Sequence, residues 1–178
     1  MRIIAGTKRG KKITQKIDAT TRPTTDRVRE NVFNVLGNMV DFGGAVVLDL
    51  FAGCGSYGLE AHSRGASKVV FNDKDLRAFD IIKKNCKQCG CDGLVLNLDY
   101  LAALDKLKTT QFDIIFLDPP YQSDFGEIAI DFIKKHKMLE SLGIIVLETE
   151  KELAIPFVKM KTYGRARLYF AGQDQPLP

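Results

Sequence analysis

The chain lacks any apolar segment approaching the roughly 20 residues that a membrane-spanning helix needs. Its first residues, MRIIAGTKRGKK, also lack the apolar core of a secretory signal peptide. The sequence contains no internal repeat and no low-complexity tract. These absences exclude a membrane-spanning protein and a repeat protein, and they predict a cytoplasmic protein that does not associate with membranes.

Metal-binding patterns are scarce as well. The two histidines, His62 and His136, are isolated, and the cluster of Cys86, Cys89 and Cys91 has no second CxxC or His pair at zinc spacing. We therefore predict no metal site. Reduced cysteines near a helix end fit a cytosolic chain better.

What the chain does have is the length and composition of one globular domain. It contains 178 residues, of which 45% are hydrophobic and 27% charged. Its net charge of +4 conceals an asymmetry, because residues 1–30 carry nine Lys or Arg against three Asp or Glu, whereas the remainder carries 17 against 19. Concentration at one end favours contact with a polyanion such as nucleic acid over a merely solvated surface.

The chain is organised around the segment VVLDLFAGCGSYG, Val46–Gly58. An apolar run that breaks into glycines at Gly53, Gly55 and Gly58 predicts a buried strand turning sharply into a helix. Such a turn lies at the carboxyl end of a parallel strand, where α/β sheets bind nucleotides. Asp49 ends the strand, and a carboxylate there repels a pyrophosphate but suits a cationic ligand. The alternative is a generic turn whose glycines serve packing.

Acidic residues also end the next two predicted strands. Ser67–Phe71 leads to Asp73, which is placed to accept hydrogen bonds from ribose hydroxyls, with Asp75 as an alternative that also suits a helix N-cap. Leu94–Leu98 leads to Asp99, which suits either an adenine amino group or the N-cap of the next helix. The sequence alone does not choose between these roles.

A second informative motif follows the predicted fourth strand, Phe112–Leu117, whose apolar run indicates a sheet covered on both faces. This strand leads into DPPY, Asp118–Tyr121. The two prolines fix the backbone and leave two peptide units without an N–H. The motif therefore combines acceptors for an amino group with an aromatic ring that can stack on a flat base.

The N-terminal segment Arg2–Ile13 predicts a hairpin with a basic tip, and Thr24 or Thr25 begins an amphipathic helix that extends to about Val40. The other predicted elements are helices over Leu59–Arg64, Asp75–Lys87 (with Leu76, Phe79, Ile81 and Ile82 inward) and Gly126–Met138, a strand over Gly143–Glu148, and terminal strands over Phe157–Lys161 and Arg165–Phe170.

With these motifs in place, the sequence resembles the bacterial methyltransferases that modify the exocyclic N2 of a guanine in small-subunit (16S) rRNA. The resemblance covers nearly the whole chain and rests on RIIAG-x-x-RG at Arg2–Gly10, RPT-x-DRVRE-x-x-FN at Arg22–Asn34, DLFAG-x-G-x-x-GLEA-x-SRGA at Asp49–Ala66, and DPPY. The N-terminal signatures are the specific part. Departures from the family pattern are Cys54, Tyr57, His62 and Asn72-Asp73.

The resemblance implies a Rossmann-like class I methyltransferase fold of the α/β class. We expect a mostly parallel seven-stranded sheet with helices on both faces, a C-terminal antiparallel hairpin, and an N-terminal extension of a β-hairpin and a helix. One domain would span residues 1–178, with a basic RNA-binding extension over 1–42 and the cofactor-binding and catalytic core over 43–172. The implied cofactor is S-adenosyl-L-methionine, and the implied partner is 16S rRNA in an assembled or assembling 30S subunit, bound by a monomer.

The resemblance also assigns site residues. Asp118 and the carbonyl of Pro119 would accept hydrogen bonds from the guanine amino group, and Tyr121 would stack on the base. Cofactor contacts would come from Asp49, Phe51, Ala52, Gly53, Gly55, Asp73, Asp99 and Asp118. Phosphate contacts would come from Arg2, Lys8, Arg9, Arg22, Arg27 and Arg29.

Two rival functions use the same motifs. Methyltransferases of DNA adenine N6 or of protein glutamine share the prolines, but they usually have Asn at the position of Asp118, and many carry a recognition domain for which this chain has no room. A non-catalytic RNA-binding assembly factor is the other rival. The intact Asp49, Gly53, Gly55 and DPPY argue against it.

Overall fold

The computed structural model of the chain describes residues 1–15, 26–120, 123–154 and 157–173. The predicted contact residues Arg22 and Tyr121, and the predicted capping residues Thr24 and Thr25, lie outside these ranges. The helices are α1 (Asp26–Leu36), α2 (Ser56–Arg64), α3 (Leu76–Cys89), α4 (Tyr100–Leu107) and α5 (Phe125–Lys135). The strands are β1 (Val46–Asp49), β2 (Lys68–Asn72), β3 (Leu94–Leu96), β4 (Phe112–Leu117), β5 (Leu139–Thr149), β6 (Lys159–Tyr163) and β7 (Ala166–Ala171).

The strands form one seven-stranded sheet in the order β3-β2-β1-β4-β5-β7-β6. The first five strands in this order are parallel, because a helix connects each of them to the next along the chain and returns the chain to the same edge of the sheet. Strand β7 runs antiparallel to both β5 and β6. This arrangement confirms the predicted fold, and the order reverses direction between β1 and β4, where open α/β sheets bind ligands.

Helices cover both faces of the sheet, as the continuous apolar run of β4 predicts. Alternate residues of β4 and β5 point to opposite faces. Phe116 and Val146 belong to the core beneath α1, α2 and α3, whereas Leu117 and Leu147 belong to the core beneath α4 and α5. Across the described ranges, every helix is too short or too polar to cross a membrane.

The predicted boundaries differ from the structure at a few places. Helix α2 begins at Ser56 rather than Leu59, since the third glycine of the motif, Gly58, is helical and packs closely on Phe71 of β2. The prediction that Leu76 points inward is wrong, because it occupies the first turn of α3 and 61% of its surface is exposed. Strand β5 begins earlier than predicted, at Leu139.

Candidate active site

The glycine loop after β1 faces open space at the carboxyl edge of the sheet. Gly53 and Gly55 have φ angles of 56° and 79°, a left-handed conformation that favours glycine. A Cβ added to Gly53 would meet no atom of the described chain within 4 Å. The backbone at Gly53 is therefore accessible to a ligand, and its predicted contact with the cofactor stays a prediction.

Asp49 lies buried beneath this loop and accepts a hydrogen bond of 2.9 Å from the backbone N–H of Gly58. Burial and the charge of Asp73 outweigh that hydrogen bond and raise the pKa of Asp49 to about 7. A nearby cationic ligand would favour the ionised carboxylate. The electrostatics thus suit the cationic ligand that the motif predicts.

Asp73 joins the end of β2 to the glycine loop. Its two carboxylate oxygens accept hydrogen bonds of 2.8 Å from the N–H of Gly53 and 2.9 Å from the N–H of Asp75. Asp75 instead caps α3 by accepting a hydrogen bond from Arg77 N–H. Of the two acids that the sequence proposed for a ribose contact, Asp73 is therefore the one at the loop, and the ribose contact itself stays a prediction.

Asn72 is a structural residue that sequence reasoning passed over. Its buried side-chain amide donates hydrogen bonds to the carbonyls of Leu50 and Leu98, and its oxygen accepts one of 3.2 Å from Leu98 N–H. These bonds hold the ends of β1, β2 and β3 together. The loops that carry Ala52 and Asp99 are fixed by the same contacts, since Ala52 N–H also donates to the Asn72 carbonyl.

Asp99 is the N-cap of α4 and accepts a hydrogen bond of 3.0 Å from Leu101 N–H, which confirms one of its two predicted roles. Its predicted adenine contact stays a prediction. Beside it, the ring of Tyr100 lies 5.4 Å from that of Phe51 and 4.8 Å from that of Phe125. An apolar aromatic surface therefore lies next to the glycine loop.

The acid–proline segment Asp118–Pro120 follows β4 directly. Asp118 is half-buried and Pro119 is buried, at the same edge of the sheet as the glycine loop. Two residues earlier, the ring of Phe116 stacks on Tyr57, with 4.9 Å between centroids and 12° between planes. The structure thus brings the end of β4 against the first turn of α2.

Tyr57 and Glu148 form a buried pair that sequence reasoning missed. The Tyr57 hydroxyl donates a hydrogen bond of 2.8 Å to Glu148 Oε2. Burial raises the pKa of Tyr57 well above its usual range, and the charges of Glu148, Asp118 and Asp49 raise it further. The signal was present in the sequence, because Glu148 ends an apolar strand just as Asp49 does.

The predicted basic hairpin is present and packs on the last turn of α2. Arg2 pairs with Lys12 in an antiparallel bridge. Gly6 lies so close to Ser63 that a Cβ would overlap its carbonyl, and the N–H groups of Thr7 and Lys8 donate to the Ser63 carbonyl and hydroxyl at 2.7 and 2.9 Å. The hairpin is therefore anchored by the protein itself.

Arg29 does not have its predicted role. It is fully buried, donates a hydrogen bond to the carbonyl of Arg2, and has its Nε 4.0 Å from Glu60 Oε2. The prediction that it contacts phosphate is wrong, because its guanidinium is used inside the protein. Arg27, by contrast, is exposed on α1.

Two of the other predicted phosphate contacts, Lys8 and Arg9 at the hairpin tip, lie away from the glycine loop. Arg2 and Arg9 are exposed and Lys8 is half-buried. The hairpin tip contacts Ser63, seven residues along α2 from Ser56, a distance of about 10 Å at the helical rise. The tip therefore lies at the opposite end of α2 from the loop.

The cysteines contribute to packing. Cys86, Cys89 and Cys91 are buried at the end of α3, Cys54 is half-buried, and all four are free thiols. Over the described residues, no group of three or more His, Cys, Asp or Glu is placed to hold a metal ion.

Comparison with known proteins gives a consistent answer. The model of the family described as Conserved hypothetical protein 95 matches residues 1–172. Ribosomal RNA small subunit methyltransferase D of Haemophilus influenzae is 39% identical, covering 85% of this chain and 80% of that protein. Its namesake from Escherichia coli K12 is 35% identical, covering 89% and 79%. The solved structure of the E. coli protein yhhF has a TM-score of 0.86 at 31% identity, covering 98% and 99%.

The strand order, the glycine loop after β1 and the acid–proline segment after β4 define a class I S-adenosylmethionine-dependent methyltransferase. The chain belongs to the family described as Conserved hypothetical protein 95, together with the ribosomal RNA small subunit methyltransferases D. S-adenosylmethionine is its cofactor. The residues present fit this cofactor, because open space at Gly53 adjoins the carboxylates of Asp49 and Asp73.

Proposed function

We propose that the protein methylates the exocyclic N2 of a guanine in small-subunit rRNA. The observation that carries this proposal is the position of Asp118, which directly follows β4 and is followed by two prolines, beside the open glycine loop of β1. The relatives from H. influenzae and E. coli are named as small-subunit rRNA methyltransferases, which supports rRNA as the substrate.

The proposed chemistry follows from the residue types. A guanine amino nitrogen is a poor nucleophile, because its lone pair is delocalised into the ring. Asp118 and the carbonyl of Pro119 accept hydrogen bonds from this amino group, which directs the lone pair towards the incoming methyl group. The bound cofactor supplies that methyl group on a cationic sulfur. Positioning and electrostatics then carry most of the rate, and Asp118 takes up the released proton directly or through water.

Separate parts of the site hold the cofactor in this proposal. Asp73 accepts hydrogen bonds from the ribose, and the backbone of Phe51–Gly55 lies along the cofactor, with Asp49 supplying negative charge beneath it. The adenine lies against the aromatic surface of Phe51 and Tyr100, with Asp99 at its amino group. Each assignment uses a group that lies at the carboxyl edge of the sheet.

The acceptor base must be unpaired or flipped out, because a stacked base cannot reach Asp118. Arg2, Lys8, Arg9 and Arg27 then contact phosphates, and Arg22 and Tyr121 keep their predicted roles at phosphate and base. In this division, residues 1–42 form the RNA-binding extension and 43–172 the catalytic core. An assembled or assembling 30S particle in the cytoplasm is the proposed substrate.

The test is transfer of a labelled methyl group from S-adenosylmethionine to unmodified small ribosomal subunits, followed by identification of the product nucleoside. We expect N2-methylguanosine, with assembled particles as better acceptors than free 16S rRNA. Label found on DNA adenine or protein glutamine instead would replace this proposal with its rival. Retained cofactor binding with no transfer to any of these acceptors would also contradict it.

A further inference from the structure

The strand order leaves one side of Asp118 for the acceptor base. The residues proposed to hold the cofactor follow β1, β2 and β3, which all lie on one side of β4. Strand β5 lies on the other side of β4, and its carboxyl end carries Glu148. A base with its amino group at Asp118 must therefore extend over the end of β5.

Glu148 is the neighbour of Asp118 across this strand pair. Leu117 of β4 pairs with Leu147 of β5. Asp118 directly follows Leu117, and Glu148 directly follows Leu147. Phe116 and Val146 lie two residues before Asp118 and Glu148, respectively. These two apolar residues pair across the strands and share the sheet face that Tyr57 covers. The two carboxylates thus follow adjacent strands, which lie about 5 Å apart.

The Glu148 carboxylate is half satisfied within the protein. Oε2 accepts the hydrogen bond from Tyr57, whereas Oε1 accepts none from the described residues. Only 3% of the residue is exposed, and an acceptor with so little water around it gains much from a donor on a ligand. Burial raises the pKa of Glu148 and the hydrogen bond from Tyr57 lowers it, so Tyr57 favours the ionised form.

We infer that Glu148 accepts the N1–H of the target guanine while Asp118 accepts from the neighbouring N2 amino group. The inference rests on the proposed function. The Watson–Crick edge of guanine presents these two donors side by side, whereas the N1 of adenine is an acceptor, and flipped bases are read by hydrogen bonds to this edge. Glu148 is then a specificity-determining residue that rejects bases without an N1 proton, and Tyr57 is the residue that positions it.

The experiment compares guanine with 2-aminopurine at the target position of reconstituted small subunits. 2-Aminopurine keeps the N2 amino group but has an unprotonated N1, so it opposes the Glu148 oxygen with another acceptor. We expect the wild-type protein to prefer guanine by at least about 100-fold in kcat/KM, because sites built for a donor reject analogues that lack it. Equal methylation of the two bases by the wild-type protein would overturn the inference.

The Glu148→Gln variant separates recognition from general damage. Its side-chain amide can donate to the N1 of 2-aminopurine, so we expect the preference for guanine to narrow at least tenfold while affinity for S-adenosylmethionine is unchanged. Glu140→Gln, an exposed acid at the other end of β5, is the matched control and should keep the wild-type ratio. An equal loss on both bases in Glu148→Gln would indicate a purely structural role and overturn the inference.

The Tyr57→Phe variant tests the positioning role of Tyr57 separately from the role of Glu148. Tyr57→Phe retains the carboxylate but frees it from its anchor, so we expect kcat/KM on guanine to fall while cofactor affinity is kept; wild-type kinetics in this variant would contradict the positioning role. If Glu148→Gln does not fold, the wild-type comparison still decides. Wild-type protein that methylates no guanine would refute the proposed function, whereas methylation of guanine without discrimination would refute only this inference.

Discussion

The first turn of helix α2 and the rest of that helix make different kinds of contact. At its first turn, Gly58 N–H binds Asp49 and the Tyr57 hydroxyl binds Glu148, beside a glycine loop that faces open space. Further along the helix, the central residue Glu60 accepts hydrogen bonds from Ile4 N–H, Ala5 N–H and Arg64, and Ser63 in the last turn binds the hairpin tip. One end leaves acceptors for a ligand, and the other uses its polar groups to hold the N-terminal segment.

In the proposed function, this difference would let one helix connect an RNA contact to a reaction site. The basic hairpin is held by hydrogen bonds within the protein, so it needs no RNA to adopt its place. The helix between the two ends fixes the separation of the tip from the glycine loop at about 10 Å. The protein would then hold the RNA backbone and the target base at a set distance.

The largest effect is expected from breaking the hairpin end at Glu60. Glu60→Ala removes this fully buried carboxylate from beside the buried guanidinium of Arg29 and removes the acceptor of Ile4 and Ala5 N–H. We expect a loss of about 3–5 kcal/mol in the free energy of unfolding, measured by urea denaturation. Glu30→Ala, on the exposed side of α1, should change it by less than about 0.5 kcal/mol. Similar values for the two variants would contradict the structural role of Glu60.

Gly6 and Gly10 offer a matched pair in the same hairpin. Their φ angles are +80° and +82°, but only at Gly6 would a Cβ overlap another residue, namely Ser63. Alanine at Gly10 should therefore cost only the backbone strain of about 1–2 kcal/mol. Alanine at Gly6 should cost more and also weaken methyl transfer to small subunits, with cofactor affinity retained. Equal stability of the two variants would show that the contact with Ser63 is unimportant.

The glycine-loop end should respond to pH through Asp49. Its pKa in the ligand-free protein is about 7, and a cationic cofactor binds the ionised form better, so affinity should rise as pH rises through 7. We expect the Kd of S-adenosylmethionine at pH 6 to be roughly tenfold higher than at pH 8, measured by calorimetry. Folding has the opposite sign, because a raised pKa favours the protonated folded state and stability is lost as pH rises from 3.8 to 7. Asp49→Asn should remove the pH dependence of both cofactor affinity and folding stability. A wild-type Kd that does not change with pH would contradict this prediction.

The smallest effect is expected from single charges at the hairpin tip. Arg9→Gln removes one exposed cation, so its affinity for small subunits should fall a few-fold and the salt dependence of binding should weaken by about one phosphate contact. Stability should not change. Lys106→Gln on α4, at the opposite sheet face, is the control. An equal loss of affinity for small subunits in both variants would indicate an effect of net charge and not a specific contact at Arg9.

The sequence predicted the fold and the ends of β1 and β4 because local patterns encode them. Asp49 and Asp118 each end an apolar run, and the glycines and prolines that follow restrict what the backbone can do. Asp99 as a helix cap is equally local, since its acceptor meets an N–H two residues away.

What the sequence did not predict depends on partners far along the chain. Arg29 has the charge of a phosphate contact, but its partner Glu60 is 31 residues away and brings it into the core. The pair of Tyr57 and Glu148 is 91 residues apart, and only the parallel sheet brings it together. Charge and periodicity do not reveal such pairings until the strand order is known.

The most direct test of the central claim is methyl transfer by Asp118→Ala, with Asp124→Ala, an exposed acid at the start of α5, as the control. We expect Asp118→Ala to lose at least about 100-fold in kcat on unmodified small subunits while its Kd for S-adenosylmethionine stays within about threefold of wild type. Asp124→Ala should remain active. Full activity of Asp118→Ala would contradict the claim that this carboxylate directs the amino group for methylation.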